Sequence, residues 1–248
     1  MSCGDTFPLI HIEETDSTNN YLSEISENQP VAEFTVAMAD FQTAGKGQRG
    51  NGWEAAKGKN LLFSFVLYPS FLEARKQFIL SQIVSLSIKE ELDQWTDHIS
   101  IKWPNDIYWK DKKICGILIE NDLTGMYLSR CISGIGVNIN QEKFLSNAPN
   151  PVSLRQITGQ EYDCLLILNN IMQRLTAYYS SLKLGKTDYI TQGYQDALFR
   201  KEGMYRYSDA QGEFLARIVG VEADGHFILQ DESGKIRRYV FKEVQYIL

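Results

Sequence analysis

Four cysteines and three histidines in 248 residues are few, and they are scattered. Cys3, Cys115, Cys131 and Cys164 form no CxxC pair, and His11, His98 and His226 lie far apart in the chain. A tetrahedral zinc site is therefore not expected, nor any other bound metal. Dispersed thiols fit a reducing cytosol. No apolar run reaches membrane-spanning length, and no basic segment followed by an apolar one opens the chain. The expectation is a cytoplasmic protein, neither secreted nor membrane-spanning. Positive charge is not in excess either: 25 Lys and Arg face 31 Asp and Glu, a net charge of −6. That balance argues against general affinity for DNA or RNA, which needs a basic face. Repeats and low-complexity tracts are missing as well. With 44% apolar residues, the chain can bury a sound core, as one large domain or one domain plus a small module.

Against this background two stretches stand out. The first is Gly45-Lys46-Gly47-Gln48-Arg49-Gly50-Asn51-Gly52-Trp53. Its glycines let backbone N–H groups approach an anion, and Lys46 and Arg49 add cationic donors. The spacing satisfies GxGxxG, but the dinucleotide-binding fingerprint needs a helix directly after the loop. Here a polar stretch and a strand follow, so that reading fails. A plain surface loop is the bland alternative. The second stretch is Lys102-Trp103-Pro104-Asn105-Asp106, a strand end that combines a cation, an aromatic ring, an amide and a carboxylate. It too has a bland reading, a strand terminus with Trp103 in the core. Lys113 reads equally well as a solvated hairpin lysine. Gly116 is either a strand irregularity or a point of ligand approach, and Ser17-Thr18-Asn19 reads as a helix cap.

Around these motifs the pattern alternates. Strands are expected at residues 9–12, 34–39, 61–68, 99–101, 107–109, 114–120 and 126–140, with 110–112 as a hairpin turn. Helices are expected at 20–27, 72–92, about 162–182 and 189–199. A loop is expected around Pro149 and Pro151. Beyond residue 200 come short strands at 203–207, 213–221, 226–230 and 237–241, broken by turn sequences, which suggests a small β-barrel of about five strands. The expected division is 1–200 and 201–248.

Taken in order, the segments Ser17-Thr18-Asn19, 42–53, 102–106, Lys112-Lys113-Ile114-Cys115-Gly116-Ile117-Leu118 and Gly134-Ile135-Gly136-Val137-Asn138, with the final β-module, resemble the biotin protein ligases. The resemblance covers nearly the whole chain. It implies an α+β fold: a mixed sheet with helices related to class II aminoacyl-tRNA synthetases, followed by an SH3-like barrel. It implies that biotin and MgATP give biotinyl-5′-AMP and pyrophosphate. A lysine of a biotin carboxyl carrier domain then attacks the adenylate. By the same resemblance Lys113, Arg49 and Asp106 are catalytic. Ser17, Thr18, Asn19, Gln42, Lys46, Gly47, Gln48, Lys113 and Gly116 would meet biotin. Gly45, Lys46, Arg49, Gly50, Trp53, Lys102, Asn105 and Asn138 would meet ATP or the adenylate.

Some family members begin with a DNA-binding winged helix; here about ten residues precede the first strand, so a monofunctional form that binds no DNA is expected. Gln48 stands where the family loop often has arginine. A homodimer is left open. A lipoate or octanoate ligase of the same fold, or a non-catalytic biotin sensor, are the alternatives. The Lys-Trp-Pro-Asn-Asp motif and C-terminal module favour biotin over lipoate, and Lys113 with the loop cations favours an enzyme over a sensor.

Overall fold

The structure is a computed structural model that describes residues 7–47, 52–145 and 150–248. Seven strands form the main sheet: β1 (Leu9–Thr15), β2 (Val36–Gln42), β3 (Leu61–Leu67), β4 (Ile99–Lys102), β5 (Asp106–Trp109), β6 (Lys112–Thr124) and β7 (Tyr127–Val137). Their order is β1-β2-β3-β7-β6-β5-β4, with β1 and β2 parallel and every other pair antiparallel. The β4 edge is extended by the segment after the last helix, where Phe199 N donates to Ile101 O and Ile101 N to Ala197 O.

Strand β3 shows how the sequence sets the layers. Its run Leu-Leu-Phe-Ser-Phe-Val-Leu is buried throughout, because both faces of the sheet are covered there. Phe63, Phe65 and Leu67 point into the main core with α2 (Phe78–Leu92) and α4 (Cys164–Lys183). The alternate residues Ser64 and Val66 face the other way, where Val66 packs with Leu22 of α1 (Thr18–Asn28). The functional face is this second one.

Helix α2 is shorter than its apolar pattern suggests. Leu72 and Ala74 are engaged by the start of β7 through Leu128 N to Leu72 O and Ala74 N to Met126 O, so the helix begins only at Phe78. The region read as a loop contains a helix, α3 (Leu154–Thr158), with a complete capping box between Ser153 and Gln156 and left-handed Gly159 at its end. Helix α5 (Asp188–Asp196) completes the helical layer.

The C-terminal residues form a five-stranded antiparallel SH3-like module. Its order is β11-β10-β9-β8-β12, from β8 (Tyr205–Asp209), β9 (Gly212–Val221), β10 (Phe227–Asp231), β11 (Ile236–Tyr239) and β12 (Gln245–Tyr246). It shares a continuous apolar core with the main sheet. Trp103 joins the two. Its ring stacks on Phe227 at 4.9 Å and its indole N–H donates to Gly225 O at 3.0 Å. Tyr194 of α5 holds the next residue, donating to Pro104 O at 3.0 Å. The expectation of a core tryptophan was right, and that packing fixes the residues beside it. Truncating a ring buried this way typically costs about 3–5 kcal/mol.

Candidate active site

Residues paired across a sheet project from the same face. The register therefore lines up Lys102, Asp106, Gly116, Gly136 and Leu62 as one row, with Leu118, Gly134 and Ser64 in the next. These rows form the floor of a cavity of about 600 Å³ at the N-terminal end of α1. Lys113 joins them through an irregularity. The register between β5 and β6 shifts between Ile107 and Tyr108, so Lys113 rather than Ile114 pairs with Tyr108. A one-residue bulge moves a side chain to the opposite face. Ile114 turns into the core, and Lys113 turns into the cavity.

The glycines of the floor are needed for their missing side chains. A Cβ on Gly116 would lie 2.8 Å from the Trp53 ring, and one on Gly136 would overlap the same indole. The indole therefore lies flat against two adjacent strands. A Cβ on Gly134 would strike the amide of Asn19. The loop returns Trp53 to this place through Trp53 N to Gly45 O at 2.9 Å, next to the Lys46–Gly52 bridge.

One end of the cavity is neutral and closely bonded. Ser64 Oγ donates to Asn19 Oδ1 and lies 2.6 Å from Thr18 Oγ1. Gln42 Oε1 accepts from Thr18 N at 2.8 Å and lies 3.1 Å from the Thr18 hydroxyl. Asn19 Nδ2 donates to Glu120 at 2.7 Å. Ser17, Thr18, Asn19 and Ser64 are all nearly fully buried. Ser17 occupies the N-cap position of α1, yet its side chain makes no capping hydrogen bond. The expected helix cap is thus right in position but makes no side-chain capping bond, and Ser17, Thr18 and Asn19 line the cavity instead.

The other end is cationic. Lys113 Nζ pairs with Asp106 Oδ1 at 2.8 Å and lies 5.7 Å from the centre of the Trp53 ring. Lys102 Nζ is 3.1 Å from the Tyr108 hydroxyl and sits over the Tyr108 and Tyr246 rings at 4.7 and 5.0 Å. Burial lowers its pKa, and the Asp106 charge opposes that shift. Asp106 is the one carboxylate among the described lining residues, against the cations Lys46, Lys102, Lys113 and Lys242. Lys46 bonds to Asn20. Asn105 lines the wall and donates to Ile117 O, locking the turn before Asp106.

The structure thus gathers Ser17, Thr18, Asn19, Gln42, Lys46, Gly47, Trp53, Lys102, Asn105, Asp106, Lys113 and Gly116 at one cavity. Gly45 sits behind it as the partner of Trp53. Asn138 is not part of the lining: it is buried, donating to Val152 O at 3.2 Å, while its backbone N donates to Ile114 O. That tie steadies the strand carrying Lys113. Gln48, Arg49 and Gly50 lie outside the described residues. Sequence reasoning missed Ser64, Glu120 and the C-terminal residues Lys242, Gln245 and Tyr246. The single polar residue inside an otherwise apolar β3 was a usable signal for Ser64; nothing local marks the others.

Away from the cavity, Glu222, Asp224 and His226 gather within 4.8 Å of one another. Arg238 already bonds both carboxylates at 2.7 Å, so the group is a solvated ion-pair cluster. Among the described residues no helix is long and apolar enough to cross a membrane.

The cavity thus offers hydroxyl and amide groups at one end and cations at the other, an arrangement able to hold an anionic ligand with a polar head. The comparisons narrow the class. Residues 11–138 match the biotin/lipoate A/B protein ligase family, and the chain belongs to it. It is 28% identical over 241 residues to the bifunctional ligase/repressor BirA of Bacillus subtilis, covering 91% of this chain and 70% of that protein. It is 27% identical over 231 residues to the biotin–[acetyl-CoA-carboxylase] ligase of Paracoccus denitrificans, covering 90% of each. The structure of the Aquifex aeolicus biotin protein ligase in complex with biotin and ATP superposes with a TM-score of 0.80 at 27% identity, over 97% of this chain and 99% of that one.

Proposed function

We infer that the protein is an ATP-dependent biotin–protein ligase that forms biotinyl-5′-AMP and passes biotin to a lysine of a carboxyl carrier domain. One observation carries the reading: Lys113 and Lys102 face a common cavity beside a single carboxylate, while the far end is neutral and polar. A carboxylate attacks ATP only if the repulsion between the two anions is offset. In this reading Lys113, which lines the cavity, neutralises the biotin carboxylate. As that oxygen attacks the α-phosphorus, pyrophosphate leaves and the acyl adenylate forms. In the second step the Lys113 ammonium polarises the acyl carbonyl for attack by the carrier lysine, and AMP leaves. Asp106 holds Lys113 in place between steps. Lys102 and Lys46 meet phosphates, with Arg49 and the amides of 47–50 as further donors, and Trp53 covers the adenylate. Among the described lining residues Asp106 is the one carboxylate that could meet a magnesium ion, which in MgATP would take most of its oxygens from the triphosphate and would offset phosphate charge.

The neutral end decides between biotin and lipoate. Biotin ends in a ureido ring that donates and accepts hydrogen bonds; lipoate ends in an apolar dithiolane. Ser17, Thr18, Asn19 and Gln42 line this end with hydroxyl and amide groups rather than apolar side chains, which suits a ureido ring better than a dithiolane. The acceptor is the carrier domain of a biotin-dependent carboxylase, and the chain works as a catalytic unit of residues 1–200 with the 201–248 module. Free thiols at Cys115, Cys131 and Cys164 suit a cytoplasmic setting. The test is ATP–pyrophosphate exchange with biotin and with lipoate. Exchange with biotin alone is expected; exchange with lipoate alone, or with neither, overturns the reading.

A further inference from the structure

Lys102 is a half-buried cation without an ion-pair partner among the described residues. Asp106 is taken by Lys113 at 2.8 Å. Its ammonium donates to the Tyr108 hydroxyl on the neighbouring strand β5 at 3.1 Å and lies against the Tyr108 ring and the Tyr246 ring from β12 of the C-terminal module. An ammonium over a π-face is stabilised without being neutralised. A carboxylate partner would have to be displaced when a phosphate binds; a ring does not.

Tyr246 is fixed for such a role. It packs against Phe199, Tyr207 and Phe227 with ring centres 5.2–5.9 Å away. Strand β12 pairs Tyr246 with Tyr207, Ile247 N donates to Arg206 O, and Arg200 donates to Ile247 O at 2.8 Å. The ring thus has little freedom to move away from Lys102, and both residues line the cavity.

We propose that Tyr246 is a positioning residue for the nucleotide: its ring and that of Tyr108 hold Lys102 extended, charged and unpaired at the phosphate end of the cavity. The C-terminal module is thereby a structural part of the ATP site. The proposal rests on the ligase reading for the identity of the anion, but its test does not depend on turnover.

Binding of α,β-methylene-ATP and of biotin is measured by calorimetry on the full chain. Tyr246→Leu is expected to weaken the nucleotide about tenfold and biotin less than twofold, whereas Tyr246→Phe, which keeps the π-face, stays near wild type. In a Lys102→Met background, Tyr246→Leu adds nothing. If Tyr246→Leu does not fold, phenylalanines of increasing fluorination at position 246 weaken the π-face at nearly constant shape, and nucleotide affinity should fall stepwise with fluorination. Unchanged nucleotide binding in Tyr246→Leu, equal loss for both ligands, or a flat fluorination series would overturn the proposal. Failure of pyrophosphate exchange in the wild type would sink the ligase reading and leave this binding result standing.

Discussion

The two ends of the cavity solve opposite problems with opposite means. At the α1 end, Thr18, Asn19, Gln42 and Ser64 bond to one another through neutral groups, and most are buried. At the β4–β6 end, Lys113 and Lys102 sit against one carboxylate, a phenol and aromatic faces, while Lys46 bonds to Asn20 beside the α1 end. A neutral head group offers no long-range attraction, so its site gains from rigid, preformed donors and acceptors. An anion brings its own attraction, so its site gains from charge that is held but not neutralised. The sheet register lets both ends share one floor, in which Gly116 and Gly136 make room for the Trp53 ring and Gly134 for the Asn19 amide.

The sharpest way to break the cationic end is Lys113→Ala. It leaves Asp106 as an uncompensated negative charge where two anions must meet. Biotinyl-AMP formation should fall by about 3–4 kcal/mol in the barrier, several hundredfold. Near-normal pyrophosphate exchange would remove Lys113 from the mechanism.

Gly134→Ala tests the neutral end from beneath. The new methyl displaces the Asn19 amide and leaves Ser64 and Glu120 without their partner. Biotin KM should rise roughly thirtyfold, about 2 kcal/mol, with little change for ATP. A biotin KM within twofold of wild type would show that the network is not what holds the head group.

A smaller effect concerns pH. Burial lowers the Lys102 pKa, so the ammonium is lost at lower pH than for an ordinary lysine. The groups facing it are Asp106, Lys113 and Arg200, with the Tyr108 and Tyr246 phenols, both of which burial pushes upward in pKa. ATP KM should therefore climb with rising pH through that lowered pKa. Lys102→Arg should move the rise out of the accessible range, because guanidinium does not titrate there. An identical alkaline limb in Lys102→Arg would assign it to another group.

Much of this was legible in the chain, for reasons that can be named. Strong periodicity placed α4, β3 and the hairpin at 110–112, and the short-strand texture after residue 200 gave the second module. The floor glycines were visible, though not what they make room for. The bulge that turns Lys113 into the cavity was hidden, since strict alternation from Gly116 sends residue 113 to the core face. Helix α3 was passed over despite its Ser153-to-Gln156 box, because the nearby prolines pointed to a loop. Tyr246 lay beyond any local signal: it is more than 130 residues from Lys102, and tertiary packing, of Trp103 on Phe227 and of Phe199 on Tyr246, brings their elements together.

The division of labour across the cavity is tested most directly by a crossed measurement of both substrates' KM values in Ser64→Ala and Lys102→Met. Removing the Ser64 hydroxyl leaves the buried Asn19 carbonyl without its donor, at about 1–2 kcal/mol. Ser64→Ala should raise biotin KM roughly tenfold and leave ATP KM within twofold. Lys102→Met should do the reverse. If each variant impaired both substrates alike, the two ends would not be separate sites, and the account of a neutral pocket for biotin and a cationic one for ATP would be wrong.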